Sequence, residues 1–311
     1  MARVRDAIIL AGGMGTRMLP ASLYMPKETM PLIDTPILNH LVWEATKAGA
    51  TRIHLVLSER KMDILGNFLK GEVIFDEGVR VDLPRVALSV GSEDVEIIPY
   101  IQESPGGVAD AISVALTDIE GPFLVLLGDM VLIEEHFGPE FSGPENASSA
   151  SLELVIAYEK SGLPCVGLWS VENEEVSNYG VVGIRESGEP GTIKLVNEIV
   201  EKPSKNEVPS NFRIGEVSSR SNFILCGRYL LPENTSQILE EYPTSRFGEL
   251  QSISMLDHMI KNGQLEAVIL DHMEMYDSGD PFSWLKSQID HGLRREDISE
   301  GLLAWLSDRL A

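Results

Sequence analysis

Two charged residues stand beside turn-forming glycines in positions suited to phosphate chemistry: Arg17, just after a glycine-rich segment, and Asp129, just after Gly128. Arginine and lysine grip phosphate oxygens through charge-assisted hydrogen bonds, and aspartate offers hard oxygens to a divalent cation. The segment Leu10-Ala-Gly-Gly-Met-Gly-Thr-Arg17 places three glycines in four positions directly after an apolar run. Such glycines let the backbone approach a ligand closely and aim its amides at phosphate oxygens. No Gly-Lys-Ser/Thr follows, so the P-loop pattern is absent, and Met18 stands where the dinucleotide fingerprint needs its third glycine. Taken alone, the glycines fit a tight strand-to-helix turn equally well. Further along, the apolar run Phe123 to Leu127 ends in Gly128-Asp129, which sets a carboxylate at the carboxyl end of a strand. That is where α/β folds place their ligands.

The string Pro26-Lys27-Glu28-Thr29-Met30-Pro31 follows the glycine segment. Together, Gly13-x-Gly15-Thr16-Arg17, Pro20 and Pro26-Lys27 closely resemble the signature of the sugar-phosphate nucleotidylyltransferases. This family includes the enzymes making UDP-glucose, dTDP-glucose, GDP-mannose and ADP-glucose. The resemblance runs from about Ala7 to about Leu285. It implies that Ala11, Gly12, Gly13, Gly15 and Thr16 line the nucleotide. Gln102-Glu-Ser-Pro-Gly-Gly107 resembles the family's base-recognition loop, where the Gln102 amide and the Gly107 backbone would meet the base; an amide both donates and accepts, as a uracil or thymine edge requires. Asp129 and Asp277, the latter from Asp277-Ser-Gly-Asp280, would hold Mg2+, leaving Asp280 to cap the turn before Pro281. Asn178-Tyr-Gly180 and Glu198-Ile-Val-Glu201-Lys202-Pro203 are similar to the sugar-binding pair: Gly180 and Glu201 would bind hydroxyls, and Lys202 the sugar phosphate.

The implied reaction is an in-line displacement. A phosphate oxygen of a sugar 1-phosphate attacks the α-phosphorus of a nucleoside triphosphate, and pyrophosphate leaves. The nucleophile is already an anion, so positioning and charge neutralisation carry the catalysis. Arg17 would hold the departing pyrophosphate, Lys27 the phosphates at the reacting centre, and Lys202 the attacking phosphate. Gly-Thr-Arg-Met-Leu-Pro and Pro-Lys-Glu lean toward the uridylyltransferase branch, as do the segment from Asn222 through Arg228, to which no specific role is given, and Gly248-Glu-Leu-Gln251. Gly128 before the aspartate, and Pro105 before Gly106-Gly107, lean toward thymidylyl-type members. UTP with glucose 1-phosphate is the first expectation and dTTP the second. A nucleotide-sugar glycosyltransferase would show Asp-x-Asp after the strand, where this chain has Gly128-Asp129-Met130-Val131. A non-catalytic regulatory subunit would have lost charged residues that are all present here.

These residues need elements to carry them. Apolar runs predict strands at 7–11, 53–57 and 123–127, with strand-like runs at 152–157, 181–184, 222–225 and 267–270. Helical spacing predicts helices over 37–48, 61–69, 109–116 and 252–261, and a helical tail over 284–310 broken near 292–297. Residues 139–150 read as a loop, and 72–100 as an inserted hairpin region. The strand–helix–strand–helix opening argues for a doubly wound parallel sheet. The resemblance implies the nucleotide-diphospho-sugar transferase fold: a Rossmann-like, mixed, mainly parallel sheet with helices on both faces. Residues 1–285 form the catalytic domain in this reading, and 286–311 the helical tail.

Composition bounds the rest. At 43% hydrophobic and 23% charged, the 311 residues suit a globular domain with a full core. A net charge of −23 repels nucleic acid and anionic membranes, so neither is an expected partner. No apolar run is long enough to span a bilayer, and the first apolar segment is too short for a signal peptide. Two cysteines, Cys165 and Cys226, imply no disulfide framework and read as interior residues. The expected setting is the cytoplasm. The resemblance also implies a homo-oligomer.

Overall fold

The computed structural model describes residues 3–69, 95–104, 106–186, 193–212, 220–241 and 252–311. The chain enters through strand β1 (Asp6–Leu10), crosses the glycine segment, and forms a small hairpin of β2 (Pro31–Leu32) and β3 (Thr35–Pro36) that delivers helix α1 (Ile37–Lys47). Then come β4 (Arg52–Leu57), α2 (Glu59–Leu69), β5 (Glu96–Ile101), α3 (Val108–Ser113), β6 (Phe123–Leu127) and β7 (Met130–Ile133). The second half contributes α4 (Ala150–Ser161), β8 (Cys165–Glu172), β9 (Gly180–Glu186), β10 (Lys194–Glu201), β11 (Arg220–Leu231), α5 (Thr235–Glu241) and α6 (Ser252–Lys261). It closes with β12 (Glu266–Ile269), β13 (Glu274–Asp277), α7 (Pro281–Arg294) and α8 (Ser299–Leu310).

Among the described residues, nine strands form one sheet in the order β5-β4-β1-β6-β11-β8-β12-β10-β9. The first four are mutually parallel. β11 runs antiparallel to β6 and β8, β12 is parallel to β8, and β10 is antiparallel to β12 and β9. The sheet is thus mixed, and its continuous parallel part is the half that carries the glycine segment.

Helices cover both faces. Along β1, Ala7 and Ile9 pack with Leu38, Leu41 and Ala45 of α1 and Leu154 of α4. Ile8 points the other way, into a core built from Ala109 and Ile112 of α3, Ile238 of α5, and Met255, Leu256 and Met259 of α6. Each such Leu or Ile is worth about 1.5–3 kcal/mol when fully buried, which is why a central strand reads as an unbroken apolar run. α1 ends where Gly49 takes φ +99°, a left-handed conformation that costs a glycine little.

The structure corrects two expectations. Residues 152–157 are not a strand but the middle of α4. Burial there falls on Ala150, Ser151, Leu154 and Val155, the spacing of one helix face, while Ile156 is exposed; Gly162 closes the helix at φ +71°. The strand of this region is β8, buried from Cys165 to Val171. Residues 96–100 are not part of an inserted hairpin. They lie in β5, paired in parallel with β4; among the described residues the other side of β5 has no partner, which tolerates Pro99; residues 72–94 of that expectation lie outside the described residues. The tail forms two helices broken near 295 as expected, and α7 runs unbroken across residue 285. Cys165 and Cys226 are both buried.

Candidate active site

β1 hands the chain to Ala11, whose amide continues the ladder to the carbonyl of Val56 at 2.8 Å. A Cβ on Gly12 would stand 2.7 Å from Oε1 of Gln102, so the glycine is what lets the two loops meet. Gly13 faces open space. Gly15 sits at φ +64° against Ser22 and starts the short 3-10 turn that exposes Thr16 and Arg17. Gln102 follows β5. Its amide nitrogen donates to Asp110 Oδ2 at 2.6 Å and to the Gly107 carbonyl at 3.3 Å. The donor end of the side chain is therefore held by the protein, and its carbonyl end faces Gly12. Gly107 adopts φ +97° at the start of α3. Pro105 and the segment 248–251 lie outside the described residues.

Beside this loop stands the carboxylate centre. The amide of Gly128 donates to the Leu10 carbonyl at 3.0 Å, and a Cβ there would come within 2.4 Å of the same oxygen and 3.0 Å of Glu28 Cγ. Only glycine fits, and the close approach brings Asp129 alongside the end of β1. β7 follows at once and pairs antiparallel with β13, setting Asp277 opposite Met130. The amide of Ser278 adds a 2.9 Å bond to the Asp129 carbonyl. Strand register thus unites two carboxylates far apart in sequence.

Lys27, on a 3-10 turn, donates directly to Asp129 Oδ2. Burial would raise the Asp129 carboxyl, but the Lys27 charge and hydrogen bond outweigh it and hold it below the ordinary value. Burial would lower Lys27, but Asp129 and then Glu28 pull it up. Asp277 is pushed up, first by burial and then by the Asp129 charge. Its Oδ1 accepts from the Gly279 amide at 2.6 Å, and its Oδ2 from the Tyr179 hydroxyl at 3.4 Å. Arg17 lies over this turn, since a Cβ on Gly279 would stand 2.9 Å from its Nη2. Asp280 caps α7, accepting from the amides of Phe282 and Ser283.

The third part lies on β9 and β10. Gly180 pairs with Glu201, and a Cβ on Gly180 would come 3.0 Å from Glu201 Oε2. Lys202, exposed, follows with its Nζ 3.7 Å from Glu201 Oε1. Its backbone has φ +44°, unusual for a residue with a side chain, and its amide donates to the Tyr179 carbonyl at 3.0 Å. Tyr179 therefore links this part to Asp277. Its place within Asn178-Tyr-Gly180 was the only sequence signal for it.

Arg228, given no role from sequence, is fully buried. It makes a bidentate pair with Glu44 of α1 at 2.7 and 2.8 Å and donates to the Met130 carbonyl at 2.9 Å. It braces β7 from below. Two other features stand apart from the site. A cavity lined by Trp43, Phe137 and His291 holds none of these residues. Glu134, Glu153 and His272 cluster near the start of α4, where Glu134 accepts from the Ser149 amide at 2.7 Å and His272 pairs with Glu153 at 2.9 Å.

Residues 6–291 match the family model described as "Nucleotidyl transferase". The chain belongs to the nucleotidyl transferase family. This nucleotidyl transferase is 31% identical over 309 residues to the UTP–glucose-1-phosphate uridylyltransferase YngB of Bacillus subtilis, covering 98% of this chain and 95% of that one. It superposes on a UDP-glucose pyrophosphorylase from Acinetobacter baumannii with a TM-score of 0.74 at 25% identity, covering 98% and 99% of the two chains. A UDP-glucose pyrophosphorylase complexed with UDP-glucose gives the same TM-score and identity over 93% and 98%. The family match ends at residue 291, inside α7, so α8 of this nucleotidyl transferase lies beyond it.

Proposed function

We propose that this nucleotidyl transferase joins UTP to glucose 1-phosphate, giving UDP-glucose and pyrophosphate, with Mg2+. The observation that carries the reading is that Lys27, Asp129 and Asp277 stand together between the glycine loop and the Gly180–Glu201–Lys202 group. The names of the full-length relatives supply the base and the sugar.

The two carboxylates fit a hard divalent cation. Asp277 is raised in part by the charge of Asp129, and the Lys27 ammonium standing on Asp129 is a cation of the protein's own in that position. Asp129 and Asp277 would hold Mg2+, which when bound neutralises phosphate oxygens. Arg17 grips the pyrophosphate portion, Lys27 the phosphates at the reacting centre, and Lys202 the phosphate of the sugar, whose oxygen attacks the α-phosphorus as the bond to pyrophosphate breaks. Gly180 and Glu201 orient the sugar hydroxyls. Ala11, Gly12, Gly13, Gly15, Thr16 and Gly107 offer backbone to the nucleotide, and the carbonyl of Gln102 accepts the ring N–H that uracil and thymine share. Gly128 does not favour thymine, because its lack of a side chain is explained by Leu10. We place the enzyme in the cytoplasm as a homo-oligomer; among the described residues no helix is long and apolar enough to cross a membrane.

Pyrophosphate release tests this. Release from UTP with glucose 1-phosphate and Mg2+, and none without the sugar phosphate or with chelator, supports the reading. Preference for dTTP would make it a thymidylyltransferase. Failure to bind any nucleotide would make it a regulatory subunit.

A further inference from the structure

We infer that Lys61 and Glu28 form a buried positioning pair that sets the distance between the glycine loop and the Lys27–Asp129 centre. Lys61 lies in the first turn of α2, and its Nζ donates to the Ala11 carbonyl at 2.5 Å and to Glu28 Oε2 at 2.7 Å. Lys61 is 6% exposed and Glu28 is 0% exposed, so both lie beneath the surface of the site.

Stability alone does not explain the pair. Burial drives Lys61 down and Glu28 up, so both charged forms are disfavoured where they stand. Among the described residues, Glu28 Oε1 has no partner within hydrogen-bonding reach outside its own residue. An apolar pair of similar volume is often as stable as a buried ion pair. What the pair does is join three parts of the site. Ala11 leads directly into Gly12 and Gly13. Glu28 adjoins Lys27 in sequence, and its Cγ abuts Gly128, the residue before Asp129. One ammonium thus fixes the root of the glycine loop to the turn that aims Lys27. The preceding residue supports the same reading: Arg60 donates to the carbonyls of Ser22 and Leu23, and Ser22 is what Gly15 packs against. The opening of α2 therefore clamps the loop at both ends. Because Glu28 neutralises Lys61, the pair adds no net charge for phosphate and acts through geometry.

This inference rests on the reading that the glycine loop and Lys27 hold nucleotide phosphates. The test compares wild type, Lys61→Met, Glu28→Gln and the apolar double variant Lys61→Met/Glu28→Met. The readouts are melting temperature, UTP affinity by calorimetry, and KM for UTP and for glucose 1-phosphate. Lys61→Met leaves Glu28 buried without a partner and lowers the melting temperature. The double variant regains it, yet keeps a UTP KM raised about ten-fold or more while the glucose 1-phosphate KM stays within about two-fold, the signature of a misplaced nucleotide loop. Glu28→Gln still accepts from Lys61 and stays within about three-fold of wild type for UTP. A double variant with wild-type UTP KM overturns the inference. So does one in which both KM values rise equally, and so does a Glu28→Gln enzyme as impaired as Lys61→Met. Wild-type enzyme that neither binds nor turns over UTP would instead refute the functional reading.

Discussion

The ammonium of Lys27 donates directly to Oδ2 of Asp129, and each moves the other's protonation toward the charged form. In the proposed reaction Lys27 faces the centre where two polyanions must meet. Lys27→Ala or Asp129→Ala should lower turnover by about 100-fold or more, the scale on which single electrostatic stabilisers act. Steady-state pyrophosphate release measures it, and near-normal turnover in both variants would remove these residues from the mechanism.

Asp129 and Asp277 are also expected to bind metal in the absence of turnover. Mn2+ titrated into the enzyme with UTP, followed by electron paramagnetic resonance, should show a bound ion that Asp277→Asn weakens by about ten-fold or more, the loss of one charged ligand. Unchanged binding would send the metal elsewhere.

Tyr179 reaches Asp277 with its hydroxyl at 3.4 Å and holds the Lys202 amide with its carbonyl. Tyr179→Phe removes only the hydroxyl contact. The expected loss is about five-fold in kcat, the worth of one long hydrogen bond, with melting temperature unchanged.

Gly128→Ala must drive a methyl group toward the Leu10 carbonyl, 2.4 Å from the Cβ position. Overpacking of this kind costs about 1–3 kcal/mol. Stability and turnover should fall for UTP and dTTP alike. A change in the ratio of the two rates would restore Gly128 as a base-selecting residue.

Three histidines give the fold an acid limit. Burial comes first in pulling His40 and His136 down to about 4 and His291 to about 3, from an ordinary value of 6.5. His136 and His291 meet through their Nδ1 atoms at 2.9 Å. Asp34 and Arg295 act on His40, Arg294 and Asp290 on His136, and His40, His136, Arg295 and Asp297 on His291. With folded values below the unfolded one, the unfolded chain binds more protons, so stability rises with pH across this interval. It is fully present above about 6.5 and is lost as pH falls toward about 4. Denaturant melts between these limits should show the slope, and His136→Phe/His291→Phe should flatten it.

What the sequence revealed follows the physics of each element. β1 and β6 lie in the sheet's interior and read as apolar runs that end at the ligand loops, so the glycine segment and Asp129 could be located. Among the described residues β5 is an edge strand, half exposed and carrying Pro99, and has no such signature. α4 carries enough branched residues, among them Val155 and Ile156, to pass for a strand until burial shows its period. Arg17, Lys27, Asp129, Asp277, Gly180, Glu201 and Lys202 each sit in a distinctive string. The contacts that join those strings are tertiary: Tyr179 to Asp277, Lys61 to Ala11 and Glu28, Arg228 to Met130. A tyrosine or lysine inside an ordinary helix or turn gives no sign of such a reach.

The pairing of β7 with β13 also sets when a newly made chain becomes competent. The glycine loop, Lys27 and Asp129 leave the ribosome early, while the strand ending at Asp277 and the Arg228 that braces β7 come much later. Under the proposed function, a nascent chain thus carries its glycine segment long before it owns both carboxylates. Products truncated before Asp277 should be inert toward UTP rather than partly active, which spares the cell a half-built enzyme working during its own synthesis.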